Sequence, residues 1–360
     1  MDFSFTEEQQ AAVEAARAVF SGVAPDGVPS PTLVPGAVDP DFDRALWGKL
    51  ADAGLISLPI DPDPIALCLV LRESAKVLAR VPLLETGAAA LAIRLYGSEA
   101  LRDGLLPRIA RGEAAVTVAA HGRTGHEPAE RAVVARREGD AWLLDGVQTA
   151  VPYARTCDHV LIPAHTPEGR AVLALIPRTA EGLTLASQVS TSGEPYAELH
   201  LDTVRTDPGS MITAEGAADW LHRLLATGTC ALALGLGEMV LLMTSEYTSK
   251  REQFGFPVAT FQAVAMQAAD RYIDLRAMEA TLWQAAWRLA PTEVAVAKIW
   301  AAEGVRRTVQ TAQHLHGGLG SDTDYPLHRY HAWAKQLELS LGPAAAHEET
   351  LGELLAAQST

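Results

Sequence analysis

The chain reads as an α+β protein with an N-terminal helical domain over 1–112, a central antiparallel β-barrel or sandwich over 113–207 and a C-terminal four-helix bundle over 208–360. Three observations predict this. Apolar residues recur at helical spacing up to about residue 112, at strand spacing with glycine and proline punctuation between 114 and 206, and at helical spacing again after Pro208. A length of 360 residues at 48% hydrophobic content is enough for several packed units. No internal repeat or low-complexity tail interrupts the order helical, β, helical.

Taken in order, Thr6 followed by Gln9 has the spacing of a capping box and opens a helix that continues over 11–20. The stretch 22–40, with five prolines and three glycines, is a long loop. Helices are expected over 42–53, closed by Gly54, over 65–80, over 83–96, and behind Ser98 as N-cap to residue 111. Short apolar runs at 115–119, 133–136, 142–144, 160–162 and 172–176 read as strands. The alternating run 196–201 joins them, and Gly139-Asp140 suits a hairpin turn. Helices then follow over 217–249, 259–289, 292–315, 326–339 and 344–357, with Pro291 and Pro326 suited to first turns. Trp283, Trp287, Trp300 and Trp333 fall at helical spacings that predict core or interface positions.

The formal charge of -15, from 29 basic and 44 acidic residues, argues against nucleic acid or an anionic membrane as partner, while leaving room for a local basic patch that holds one anionic cofactor. Cys68, Cys157 and Cys230 are too few and too widely spaced for a disulfide framework or a paired-cysteine zinc site. His121, His126, His314, His316, His328, His331 and His347 lack metal-ligand spacing and read as surface or helix-packing residues. The start Met1-Asp2-Phe3 lacks the basic and apolar regions of an export signal, and the apolar stretch 230–243 is broken by Gly235, Gly237 and Glu238. A cytoplasmic protein without a transmembrane helix is expected.

Two motifs carry the chemistry. Arg251-Glu252-Gln253-Phe254-Gly255 stands where a long helix breaks, so Arg251 reads either as a grip on a pyrophosphate or as a solvated partner of the helix dipole. His316-Gly317-Gly318-Leu319-Gly320 allows close backbone approach to an anion, or is a plain helix C-cap. With Asp324-Tyr325-Pro326-Leu327-His328-Arg329 they make the C-terminal half resemble that of an acyl-CoA dehydrogenase, most specifically over 247–262 and 313–335. The resemblance implies that Arg251 contacts an FAD carried mainly by a neighbouring subunit, with Gln253, Phe254, Val258 and Gln262 lining the same region. It also implies a nucleotide contact three residues before Gly317, where His314 replaces the usual glutamine and Gln313 lies one place early.

The chain departs from the family at the proton acceptor. Removal of the α-proton of an acyl thioester needs a carboxylate, worth about 10² to 10⁴ in rate. The usual glutamate before Gly342-Pro343 is Leu341, and the alternative place on the long helix is Leu225. Glu338, Glu238 and Glu246 remain as relocated-base candidates. The Thr-Glu-Pro-Gly-like turn of the family corresponds to residues 118–125, with His121-Gly122-Arg123-Thr124-Gly125, and the Trp-Ile-Thr-like strand corresponds to Ala150-Val151-Pro152, where proline lacks a donor.

The expectation is therefore the base-lacking, non-catalytic subunit of an α₂β₂ heterotetramer, of the bacterial steroid side-chain type. Its FAD would be shared with a glutamate-bearing homologue, its substrate would be an acyl-CoA, and an electron-transfer acceptor would follow. Two alternatives stand beside it: a self-sufficient homo-oligomeric dehydrogenase using a base such as Glu338, and a flavin-dependent oxidase or monooxygenase on the same fold.

Overall fold

The computed structural model describes residues 4–57, 63–123 and 131–358. Met1-Asp2-Phe3, Thr124-Gly125 and His126, considered above, lie outside these residues.

Helix α1 (Glu7–Phe20) starts with the expected capping box, Thr6 Oγ1 accepting from Gln9 N and Gln9 Oε1 from Thr6 N. Helices α2 (Arg44–Asp52) and α3 (Pro64–Ala75) are capped by Asp43 and Asp63. Gln9 Nε2 also donates to Asp63 Oδ2 at 2.9 Å, which ties α1 to the start of α3. The helix expected over 65–80 ends early, because the chain turns through Leu78 at φ +51° and directs Arg80 onto Asp26. Helices α4 (Leu83–Tyr96) and α5 (Glu99–Ala110) match their expected spans, with Ser98 Oγ capping Leu101 N.

The β-region is one mixed sheet of eight strands: β1 (Val116–Val118), β2 (Val133–Glu138), β3 (Ala141–Pro152), β4 (His159–His165), β5 (Ala171–Pro177), β6 (Leu183–Val189), β7 (Pro195–Thr206) and β8 (Met211–Ile212), in the order β6-β7-β3-β2-β4-β5-β8. The antiparallel expectation holds for β2–β3, β3–β7, β4–β5, β5–β8 and β6–β7, whereas β1 and β2 meet β4 in parallel. Strand β3 runs well beyond the apolar triplet at 142–144. It bends at Gly146, whose φ of +150° brings a hypothetical Cβ to 2.3 Å from Ala132 O, so only glycine fits. Strand β6 escaped sequence reading because it is an edge strand, half open to solvent on both faces.

The C-terminal region holds α6 (Ala217–Lys250), α7 (Gln262–Arg288), α8 (Pro291–His316), α9 (Leu327–Leu339) and α10 (Ala344–Gln358). Helix α6 is long and apolar enough to cross a bilayer, but 78% of its apolar window is buried by the surrounding helices. It is the axis of the molecule. Gly235 permits its contact with α3, since a Cβ there would lie 1.9 Å from Arg72 O. Of the four tryptophans, Trp333 is buried whereas Trp287 is 63% exposed. One core unites α1 to α9 with one side of the sheet, and a second fills the space among β2 to β7.

Candidate functional site

Leu341 and Leu225 come from different elements and line the same cavity. Leu341 lies in the turn between α9 and α10 at φ +57°, its carbonyl accepting from His347 Nε2 at 2.8 Å. Leu225 lies on α6. Between them is a space of about 80 Å³, walled by Leu71, Leu84, Val118, Leu232, Trp333 and Leu337. Both places where the family carries its glutamate thus face one cavity, and both present aliphatic groups.

The relocated-base candidates lie elsewhere. Glu338 accepts from Lys335 Nζ at 3.1 Å and does not line this cavity. Glu238 is held in an ion-pair cluster with Arg72, Lys76 and Arg276. Glu246 is exposed beside Arg251. Among the described residues, the carboxylates that do line the cavity are Glu85 and Glu194, which sequence reading missed. The only sequence signal was a single acid in the first turn of an otherwise apolar helix, indistinguishable from a dipole partner.

Glu194 belongs to a buried network. Tyr153 Oη donates to its Oε1 at 2.6 Å and Ser192 Oγ to its Oε2 at 3.0 Å. Burial pushes the Glu194 carboxyl above the usual range. Glu85 is pushed up to about 8, also by desolvation. His121, which also lines the cavity, is held down to about 4 by desolvation and by the charge of Lys298. Its ring nitrogens are shut off from solvent rather than at the surface.

The Glu85 shift has a measurable consequence. Folding raises its affinity for a proton, so its contribution is fully present below about pH 4.5 and is lost as pH rises through about 8. Denaturant titrations from pH 5 to 9 should show Glu85→Gln gaining on the parent chain as pH rises. Parallel stability curves for the two proteins would refute this.

The strand end beside the cavity has its backbone donors committed within the protein. Thr149 N donates to Gly122 O, Ala150 N to Gln188 Oε1 and Tyr153 N to Pro195 O, all at 2.9 Å, while Pro152 has no N–H. Ala150 and Tyr153 both adopt left-handed backbone, at φ +53° and +52°. These residues do not fit a flavin ring that relies on main-chain donors at this strand.

At the far end of α6 the arrangement is open. Arg251 is its C-cap and is exposed, and among the described residues it makes no ion pair. Strands β9 (Glu252–Gln253) and β10 (Phe256–Pro257) form a small hairpin turning through Phe254 and Gly255 at φ +54° and +83°. Val258 N donates to Arg251 O at 2.7 Å, fixing the hairpin against the helix end, and Gln262 is exposed at the start of α7. A cavity of about 330 Å³ lies here, lined by Met243, Glu246, Tyr247, Lys250, Arg251 and Tyr325. Tyr247 stacks on His316 with ring centroids 4.5 Å apart. His316 Nδ1 donates to Ala312 O, which leaves Nε2 to accept from Tyr325 Oη at 3.2 Å.

Gly317 and Gly318 end α8 with open space where a side chain would stand, so a ligand can approach the backbone. Gln313 turns inward, donating to Ser321 Oγ and pressing against Gly320, whereas His314 is exposed. An unpaired cation, an exposed histidine and two bare glycines fit the phosphate end of a dinucleotide such as FAD.

The two ends of the chain match the acyl-CoA dehydrogenase N-terminal domain over residues 6–113 and the acyl-CoA dehydrogenase C-terminal domain over 224–356. The chain belongs to the acyl-CoA dehydrogenase family, whose members are flavoprotein oxidoreductases. Among its relatives is acyl-CoA dehydrogenase FadE27 of Mycobacterium tuberculosis, 36% identical over 88% of this chain and 89% of the relative. FadE28 of the same organism is 29% identical over 98% of each. A chain of the ChsE4-ChsE5 complex from Mycobacterium tuberculosis superposes with a TM-score of 0.89 at 34% identity over 99% of both chains. A chain of the Tcur3481-Tcur3483 steroid ACAD, a G363A variant, does so with 0.88 at 35% identity over 98% of this chain and 99% of that one.

Proposed function

We propose that this chain is the base-lacking subunit of an FAD-dependent acyl-CoA dehydrogenase, assembled as an α₂β₂ heterotetramer with a glutamate-bearing homologue. The observation that carries this reading is the cavity where Leu341 and Leu225 meet without a carboxylate at either place. An aliphatic side chain accepts no proton, so the partner supplies the base. FAD, when bound, supplies the hydride acceptor. In this chain Arg251 binds its pyrophosphate, Gly317 and Gly318 let the nucleotide approach the backbone, His314 offers a hydrogen bond, and Gln253, Phe254, Val258 and Gln262 border the same edge.

A subunit partner is supported by the surface around this edge. Phe254 is 89% exposed, Phe256 62% and Ile273 62%, with Met266 and Tyr272 between them on the same hairpin and helix. The two solved relatives above are themselves complexes of unlike chains. The substrate class in this reading is an acyl-CoA, with a steroid side-chain CoA ester as the example, oxidised to its enoyl-CoA. The electrons pass on to an electron-transfer acceptor. The compartment is a reducing cytoplasm, in keeping with Cys68, Cys157 and Cys230 being free and buried.

The chain purified alone should carry little FAD and show no turnover, and co-expression with the glutamate-bearing partner should restore both. Stoichiometric flavin and activity from the lone protein would reject the proposal. The competing reading, a self-sufficient dehydrogenase, is favoured by Glu85, which faces the cavity as Glu338 does not. It requires Glu85→Gln to abolish activity of the lone chain at unchanged flavin content.

A further inference from the structure

The groups suited to the phosphates of a dinucleotide come from two helices that are distant in sequence. Arg251 caps α6, whereas Gly317 and Gly318 follow α8. One pyrophosphate can meet both only if the two helix ends keep a fixed separation, and side chains that support a site from behind are what hold such distances.

A single aromatic pair joins the two ends. The Tyr247 carbonyl accepts from Arg251 N at 2.8 Å, so Tyr247 stands one helical turn before the cation. His316 is the last residue of α8, directly before Gly317. The Tyr247 and His316 rings are stacked, with centroids 4.5 Å apart and planes within 18°. The final turns of α6 and α8 are thereby pinned to each other beside the two groups in question.

His316 itself has no freedom left. Its Nδ1 donates to Ala312 O at 2.8 Å, one turn back on α8, and its Nε2 accepts from Tyr325 Oη at 3.2 Å. Burial keeps the His316 ring below the usual histidine range, so Nε2 stays an acceptor at neutral pH. Tyr325 is anchored in turn, its carbonyl accepting from His328 Nδ1 at 2.8 Å in the first turn of α9. Apolar packing asks only for buried area. An imidazole bonded through both nitrogens and stacked on one face has its orientation specified as well.

We propose that His316 is a positioning residue of the flavin site: stacked on Tyr247 and oriented by Tyr325, it sets the distance between the Arg251 guanidinium and the backbone of Gly317 and Gly318. It acts through those groups and touches no reacting atom. The proposal rests on the reading that this chain completes its partner's FAD site.

FAD titrated into the flavin-free heterotetramer, followed by flavin fluorescence, reads the affinity directly. Tyr247→Leu removes the stacked face and should raise the dissociation constant about tenfold, equivalent to about 1.4 kcal/mol. Tyr325→Phe deletes one hydroxyl and should raise it about threefold. Tyr247→Phe keeps the aromatic face and should bring the constant back to within about twofold of the parent. In an Arg251→Met background, Tyr247→Leu should add less than about twofold, because the stack then has no cation to place. Parental affinity in Tyr247→Leu, a loss that Tyr247→Phe does not restore, or full additivity with Arg251→Met would overturn the proposal. Should Tyr247→Leu fail to assemble, Tyr325→Phe, alone and with Arg251→Met, decides the matter. Failure of the underlying reading looks different: Arg251→Met by itself would leave FAD affinity unchanged, and the proposal would go with it.

Discussion

Turnover of the co-purified complex should fall by about 10² to 10⁴ when the partner's base glutamate is replaced by glutamine, whereas Leu341→Met in this chain should leave kcat within about twofold. The contrast follows from where proton transfer can occur. Leu341 and Leu225 line a cavity in which an aliphatic exchange alters packing but no protonation state. Flavin reduction followed at 450 nm in single-turnover mixing separates chemistry from product release. A kcat loss of tenfold or more in Leu341→Met, at full flavin content and unchanged melting temperature, would place chemistry in this chain and defeat the assignment.

The second large effect concerns stability. Arg80 and Asp26 form an ion pair with both side chains almost wholly buried, Nε to Oδ1 at 2.7 Å and an amino group to Oδ2 at 2.5 Å. Arg80 also donates to Ser192 O at 2.7 Å and lies over the Trp333 ring at 5.4 Å. The pair thus joins the proline-rich loop, the turn after α3, the β6–β7 connection and α9. Asp26→Ala leaves a guanidinium buried without its counter-ion, and breaking a buried pair from one side costs about 3–5 kcal/mol. Urea denaturation should show a loss of that order, with Asp26→Ala/Arg80→Met recovering part of it. A single-mutant loss under about 1 kcal/mol would show that the pair contributes little.

The two contacts differ in what they test. The first probes whether the cavity of this chain does chemistry, and the second probes what holds that cavity together. Glu194 and Tyr153, bonded to each other at 2.6 Å, sit where the Arg80 network meets the cavity wall.

Much of this protein was legible from residue order because it is carried by local periodicity. The capping box at Thr6, the Ser98 cap, the Pro291 helix start and the spans of α4, α6 and α8 follow from backbone donors and apolar spacing within a few residues. The absence of glutamate at 341 and 225 is likewise a matter of side-chain identity. Strand β6 and the parallel pairing of β1 with β4 were not legible, since edge position and partner choice arise from contacts made across the chain. Tertiary structure alone brought Leu225 of α6 and Leu341 of the α9–α10 turn to one cavity and set Glu85 in its wall. It alone turned Gln313 inward while leaving His314 exposed. The physical reason is the range of the forces: hydrogen bonds and periodic burial act within an element and can be read in order, whereas desolvation of Glu85 and pairing of Arg80 with Asp26 exist only once distant elements exclude water together.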